Sequence, residues 1–359
     1  MAPLDPIVLC FPGAICAAGT NLPEIASATN AGLRRLGSDT RLAMKSDGAS
    51  VPIGRVQAID NIEPALHRMM QLAHAAMGQS VSARASALGL PLTASLASVP
   101  ILLSVPPARP GLTEEAVDWL LSALLEGVED FDRQRSGAVR IGHDGFMAVL
   151  QAACALLERG EATCCLLGAV DSAVDRGYIH WLEQTGRLRS RQQPNGLAPG
   201  EAAAFCFVAR KSTLSAPDSA LVEFGPVGRY QESNPWYLGQ ATIGDGLTNA
   251  VRHAIGGRTI DACYADLNGE SWRSAEWDYA YLRNGKHFAH PLDIRHPSEA
   301  WGDIGAASGA MLTLMAAWDL QEGMLGHQSA LVCASSDTQP SRAACRLQLT
   351  RITAQGSVA

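Results

Sequence analysis

The chain has 359 residues, of which 47% are hydrophobic and 18% charged, and it carries a formal net charge of −7. That length and composition describe a globular protein with a large buried core, built as one two-lobed domain or two ordinary ones. The acidic balance argues against a surface that tracks phosphates, because nucleic-acid affinity rests on clustered Lys and Arg displacing counterions.

A strand over 6–16 runs into a Gly turn, a helix covers 22–36, and a long apolar stripe at helical spacing makes 65–88 a second helix. A continuous apolar strand follows at 97–105, then a helix at 114–128 and a short strand at 138–141. Residues 146–159 form a helix that stops at Gly160, a residue suited to the left-handed C-cap, and a strand over 163–170 follows at once. Strands at 201–209 and 221–228 flank a polar stretch, 211–219, that contains Pro217 and reads as the link between two halves, 1–214 and 215–359. Beyond it come a helix at 247–255, a strand at 261–267, helices at 271–283 and 306–322, and strands at 329–335 and 346–353. The second half thus repeats the layout of the first, with strands and helices alternating as in layered α/β structure.

Residues 1–19 are apolar but lack a basic leader region and are interrupted by Asp5, Pro6 and Pro12, so neither a signal peptide nor a membrane span is expected and the chain is placed in the cytoplasm. The nine cysteines lie mostly in apolar runs, as at Cys10, Cys164, Cys165, Cys206, Cys263 and Cys333, and read as reduced core thiols. There is no CxxC pair, and His287, His290 and His296 stand in one segment without a nearby cysteine; they read as surface loop histidines, with no metal and no cofactor expected. Trp236, Trp272, Trp277 and Trp301 read as interface or core residues.

Four stretches carry a family resemblance. AACALLERGEATCCLLGAVDS at 152–172 resembles the helix, Gly stop and buried strand that follow the nucleophile of β-ketoacyl synthases and thiolases. YIHWLEQTGRL followed by GLAPGEAAAFCFVAR at 196–210 resembles the segment around that family's Gly-Glu-Gly-Ala signature, with Ala202 in place of the second glycine and Glu201 as a structural turn glutamate. IVLCFPGAICAAGTNLPEI near the start and WGDIGAASGA at 301–310 resemble the family's first strand and its late glycine-rich turn. The resemblance implies an α/β fold of thiolase type, five α-β-α-β-α layers in two duplicated halves. The chain is shorter than typical ketosynthases between Pro106 and Gly137, which implies a reduced acyl tunnel.

The same resemblance shows what is missing. Claisen condensation needs a thiolate at a helix N-terminus, where the backbone N–H groups lower its pKa and hold the oxyanion. Counting back along the family pattern from Gly160 reaches His143, and no Cys or Ser lies in 138–150. The two groups that polarise the malonyl thioester fall at Asn268, followed by Gly269 but with Glu270 and Trp272 where small hydroxyl residues are typical, and at Asp303, whose carboxylate would repel an enolate. His143 with Asp303 forms a candidate acid–base pair, weighed against a structural hydrogen bond at the helix ends, where Asp144 would also suit the helix dipole. The resemblance therefore implies a non-condensing scaffold or adaptor. It would act as a partner subunit, like the chain-length-determining subunit of aromatic polyketide systems, or as an effector-loading accessory of type VI secretion, beside whose genes short thiolase-like proteins occur. The alternative is an acyl-thioester enzyme using His143 and Asp303 without a covalent intermediate, which predicts an open polar pocket lined by His143, Asn268 and Asp303; the scaffold predicts a sealed one. A third reading is passive binding of an acyl chain, acyl-CoA or acyl carrier protein. A homodimer or a heterodimer with a protein partner is expected.

Overall fold

The structure, a computed structural model, describes residues 5–350 apart from 45, 47, 60–63, 127, 129 and 215–220. The first set of elements is β1 (Ile7–Cys16), α1 (Leu22–Asn30), a two-stranded ribbon of β2 (Gly37–Asp39) and β3 (Val51–Ile53), α2 (Ala65–Leu88), β4 (Ile101–Ser104), α3 (Glu114–Leu124), β5 (Gly137–Val139), α4 (Gly145–Glu158), β6 (Cys164–Ser172), α5 (Arg176–Gln184) and β7 (Glu201–Arg210). The second is β8 (Leu221–Gln231), α6 (Asp245–Ile255), β9 (Ile260–Ala265), α7 (Ser271–Asn284), β10 (Phe288–Arg295), α8 (Ser298–Trp301), α9 (Ser308–Gln321), β11 (Ser329–Ser335) and β12 (Ser341–Thr350).

Ten strands form one mixed sheet in the order β10-β9-β11-β12-β8-β1-β7-β6-β4-β5. Outward from the central β8–β1 contact, each side reads antiparallel, antiparallel, parallel, parallel, so the two sides mirror one another strand for strand. Within the sheet the two halves pair through Val8–Glu223 and Leu9–Val222, a contact short enough for the sheet to fold over there. One core collects Phe146, Leu150 and Leu157 of α4 and Met311, Leu314 and Met315 of α9 with inward residues of both half-sheets, such as Leu167 and Val332. α2 and α3 cover the outer face of the first half through Met69, Leu72, Val117 and Leu120, and α6 and α7 cover that of the second through Leu247, Val251 and Trp277. Helices, sheet, helices, sheet and helices are the five layers the resemblance implies.

Several boundaries move for physical reasons. The first helix stops at Asn30 instead of 36 because Gly32 turns left-handed at φ 68° and its N–H closes onto the Thr29 carbonyl. The strand expected from 97 begins at Ile101, since Leu92–Leu96 is a 3-10 turn and Ser98 has φ 57°. The helix from 114 ends at Leu124. The last strand starts at Ser341, before the expected 346, and 351–353 lie outside the described residues. The link at 211–219 begins as a 3-10 turn at Lys211–Thr213, and the boundary after 214 abuts residues outside the described set. β10, α5, α8 and the β2–β3 ribbon have no counterpart in the sequence reading. β10 carries His290 and Pro291 inside what reads as a loop; as the sheet's edge strand it tolerates proline's missing N–H. His287 and His296 flank it, and His290 and His296 are exposed.

Candidate functional site

Each of the three departing positions sits in a short connection between elements. His143 immediately precedes the Asp144 that opens α4, after Gly142 at φ 87°, and its carbonyl accepts from Gly309 N at 3.2 Å. A side chain on Gly309 would come within 2.9 Å of that carbonyl, so glycine permits the close approach of α9 to the start of α4. Asp303 follows Gly302 and is held by a backbone bridge to Pro199, with its N–H on the Ala198 carbonyl and its carbonyl accepting from Gly200. The signature-like segment before Glu201 therefore fixes where the Asp303 carboxylate lies. Asn268 stands between β9 and α7, where its side-chain oxygen accepts from Glu270 N at 3.0 Å.

The fold brings all three together. His143 Nε2 is 3.0 and 3.2 Å from the two Asp303 oxygens. The Asn268 amide donates to Asp303 Oδ2, and Gly305 N donates to Asp303 Oδ1 at 2.9 Å. Around them lies a charge lattice that the sequence reading did not assemble. Arg273 contacts His143 and donates to Asp266 and to the Ser335 carbonyl. Arg187 pairs with both Glu270 oxygens at 2.7 and 2.9 Å and with Asp337 at 3.0 Å. Asp337, on the turn between β11 and β12, lies 3.7 Å from His143 Nδ1, an atom with no hydrogen-bond partner among the described residues. His143, Asn268, Asp303, Glu270, Arg187 and Arg273 are all buried.

Burial and the Arg273 charge push the His143 imidazole down, but Asp303 and Asp337 outweigh them and hold its pKa above the ordinary value. Nε2 cannot both donate to Asp303 and accept from Arg273, and the raised pKa selects the donating form. Burial pushes Asp303 up, yet His143, Arg273 and Asn268 overcome it and hold the carboxyl far below the usual range. Asp337 is likewise lowered, burial being overcome by Arg187, His143 and Arg273. Asp144 does not cap α4; its carboxylate accepts from Ser341, and burial raises its pKa.

These shifts give a pH prediction. The folded state binds the His143 proton more tightly than the unfolded chain, so the imidazolium contributes stability that is fully present below about pH 6.5 and is lost as pH rises through the raised folded pKa. Asp303 acts at the acid end, contributing stability above about pH 4 that disappears as pH falls toward its lowered pKa. The urea midpoint of wild type should therefore fall between pH 6.5 and 8 more steeply than that of His143→Gln. Parallel curves for the two proteins would remove the imidazolium from the account.

Three spaces touch the lattice. His143, Asn268 and Asp303 meet at a void of 20 Å³ shared with Trp301, room for about one water molecule. A 160 Å³ cleft touches His143 beside Arg109, Tyr178 and Trp181, and a separate 310 Å³ polar cleft touches Asn268 and Asp303 beside Arg189 and Asn195. Trp236 stacks on Trp272 with ring centres 6.0 Å apart and donates to the Asp337 carbonyl at 3.2 Å. Arg187 lies over Trp236 and Arg273 over Trp272, so the two rings wall the charged groups. Trp277 and Trp301 are core. Among the described residues there is no group of three or more His, Cys, Asp and Glu placed to hold a metal, no helix long and apolar enough to cross a membrane, and all nine cysteines are free.

Solved structures share this architecture over nearly the whole chain. A ketosynthase in complex with its chain length factor, from Xenorhabdus doucetiae, superposes with a TM-score of 0.67 at 13% identity, covering 98% of this chain and 99% of that one. For AntDE:AntF, a type II polyketide synthase acyl-carrier protein in complex with its ketosynthase bound to the hexaketide, the TM-score is 0.77 at 12% identity, with 96% and 99% covered. The chain has the ketosynthase fold. A ketosynthase domain from module 6 of the Bacillus subtilis 168 bacillaene synthase is similar at a TM-score of 0.70 and 11% identity, over 96% of this chain and 72% of that one. The ketosynthase-fold chain matches no family model and no curated protein by sequence.

Proposed function

We propose that this ketosynthase-fold chain is a non-condensing scaffold, acting as the partner subunit of an active synthase or as an adaptor, and that its former chemical centre is packing. The observation that carries this reading is the centre itself. The residue ahead of α4 is an imidazole locked against Asp303, and the three departing positions converge on space for a single water. A nucleophile needs an acyl group beside it, and an enolate needs donors rather than a carboxylate. Structural likeness to a ketosynthase solved with its chain length factor and to one solved with an acyl carrier protein supports a protein partner as the natural company of this fold. The type VI effector-loading role is a second form of the same reading and calls for the same empty chemistry.

The competing thioester enzyme has two observations in its favour, the unpartnered Nδ1 of His143, a residue that touches the 160 Å³ cleft, and the 310 Å³ polar cleft that reaches Asn268 and Asp303. Intact-protein mass spectrometry after incubation with acyl and malonyl thioesters of coenzyme A and carrier protein, with CO₂ and free thiol assayed in parallel, separates the two. The scaffold shows no mass gain and no release above the His143→Ala, Asp303→Ala double variant. Turnover that disappears in that variant would overturn the proposal.

A further inference from the structure

We propose that the outer face of α7 is a docking surface for a second copy of this chain, two α7 helices packing antiparallel across a two-fold axis. Trp277 and Ala280 turn the inner side of α7 into the core of the second half. The opposite side leaves Asp278, Tyr279, Leu282 and Arg283 exposed. Leu282, at 73%, is the most exposed of the large apolar side chains among the described residues.

Leu238 and Ile243, exposed as well, extend the patch alongside the helix. The segment that carries them runs along α7. Trp236 stacks on Trp272, the Thr242 hydroxyl donates to Glu276 at 3.2 Å, and the Ile243 carbonyl accepts from Arg283 at 2.8 Å. A Cβ on Gly244 would come within 2.9 Å of the Tyr279 side chain, so helix and segment form one ledge. The ledge is also fixed in place, because the buried Glu232 carboxylate accepts from Thr242 Oγ1, Gly244 N and Gly246 N, each at 3.0 Å. A contiguous apolar patch on a backbone already held still marks an interface, since docking there costs little further ordering.

The charges select the occupant. Asp278 and Arg283 flank Tyr279 and Leu282, carry opposite signs, and have no ion-pair partner among the described residues. Arg283 donates only to neutral groups, the Ile243 carbonyl and the Thr248 hydroxyl. A partner of uniform charge would set one of the two against its own sign. A second α7 running antiparallel, with the two-fold axis level with the Ala280–Tyr281 junction, sets Asp278 against the second copy's Arg283 and Tyr279 against the second copy's Leu282. The symmetry repeats both pairs on the other side, as a self-complementary interface requires. The exposed ion pairs fix the register and the apolar side chains supply the affinity. None of His143, Asn268 and Asp303 takes part, so this contact is tested apart from the scaffold reading.

Sedimentation of the full chain tests this. Wild type is expected to self-associate, and Leu282→Glu to halve the sedimenting mass at an unchanged unfolding midpoint, as suits a side chain exposed in the single chain. Asp278→Arg should weaken association at least about tenfold by setting cations opposite one another, and Asp278→Arg, Arg283→Asp should restore it to within about threefold. A monomeric wild type, the wild-type mass in Leu282→Glu, or a folded double variant no tighter than Asp278→Arg would each overturn the pairing. The first two results would leave the ledge to a different protein.

Discussion

Asp303→Ala is expected to cost about 3 kcal/mol or more of unfolding free energy, the scale seen when one member of a buried ion pair is removed. The truncation leaves the His143 imidazole, the Asn268 amide and Gly305 N without their acceptor in a place that holds about one water. Asp337 is the nearest remaining carboxylate to His143, and Arg187 already holds it. The His143 pKa should drop in the variant, because an attraction that overcame burial and Arg273 is gone. In Asp303→Ala, His143→Ala the combined loss should be smaller than the sum of the single losses, since each residue is the other's partner. Urea unfolding followed by tryptophan fluorescence measures all three. The result bears on function, because groups kept for catalysis commonly strain a fold, and removing them is neutral or stabilising. A loss under about 1 kcal/mol, the range of an exposed pair, would indicate a carboxylate free to move and would favour the thioester enzyme.

What the sequence discloses follows the range of the interactions involved. The helix at 65–88 matches α2 to the residue, because its apolar stripe and the Gly89 stop are local signals. The duplicated layout is legible for the same reason. β10 is not, since an edge strand needs neither alternation nor freedom from proline and so resembles a loop. At the site, His143, Asn268 and Asp303 are found by their place in a pattern and do converge. Arg187, Arg273 and Asp337 are missed because a pairing across 150 residues, such as that of Arg187 with Asp337, leaves no trace in local spacing. One signal was present. Glu270 stands where small hydroxyl residues are typical, and a carboxylate in a buried position demands a cation. Arg187, inside the matched segment YIHWLEQTGRL, supplies it.

Glu201→Ala should be at least as damaging, with an expected loss of about 3–5 kcal/mol. Arg68 on α2 and Glu201 at the start of β7 form an ion pair in which both side chains are 0% exposed. Glu201 Oε1 also accepts from Val56 N and Oε2 from the Ser172 hydroxyl, both at 2.8 Å, so one carboxylate joins α2, the segment after β3, the end of β6 and the start of β7. Without it the buried Arg68 guanidinium loses its two bonds to Glu201 and two further donors lose their acceptor, which is why removal costs more than an exposed pair could contribute. Arg68→Met, Glu201→Leu should recover part of the loss by replacing both members of the buried pair with apolar side chains, though not all of it, because Val56 N and the Ser172 hydroxyl still lose their acceptor. The effect should also reach Asp303, whose backbone bridge runs through Pro199 and Gly200, directly ahead of Glu201. The His143 imidazole resonance in Glu201→Ala is therefore expected to shift even though the two side chains share no contact. Near wild-type stability in Glu201→Ala would show that the Gly-Glu-Ala-Ala segment is held by its backbone alone, and the glutamate would then need a role in binding.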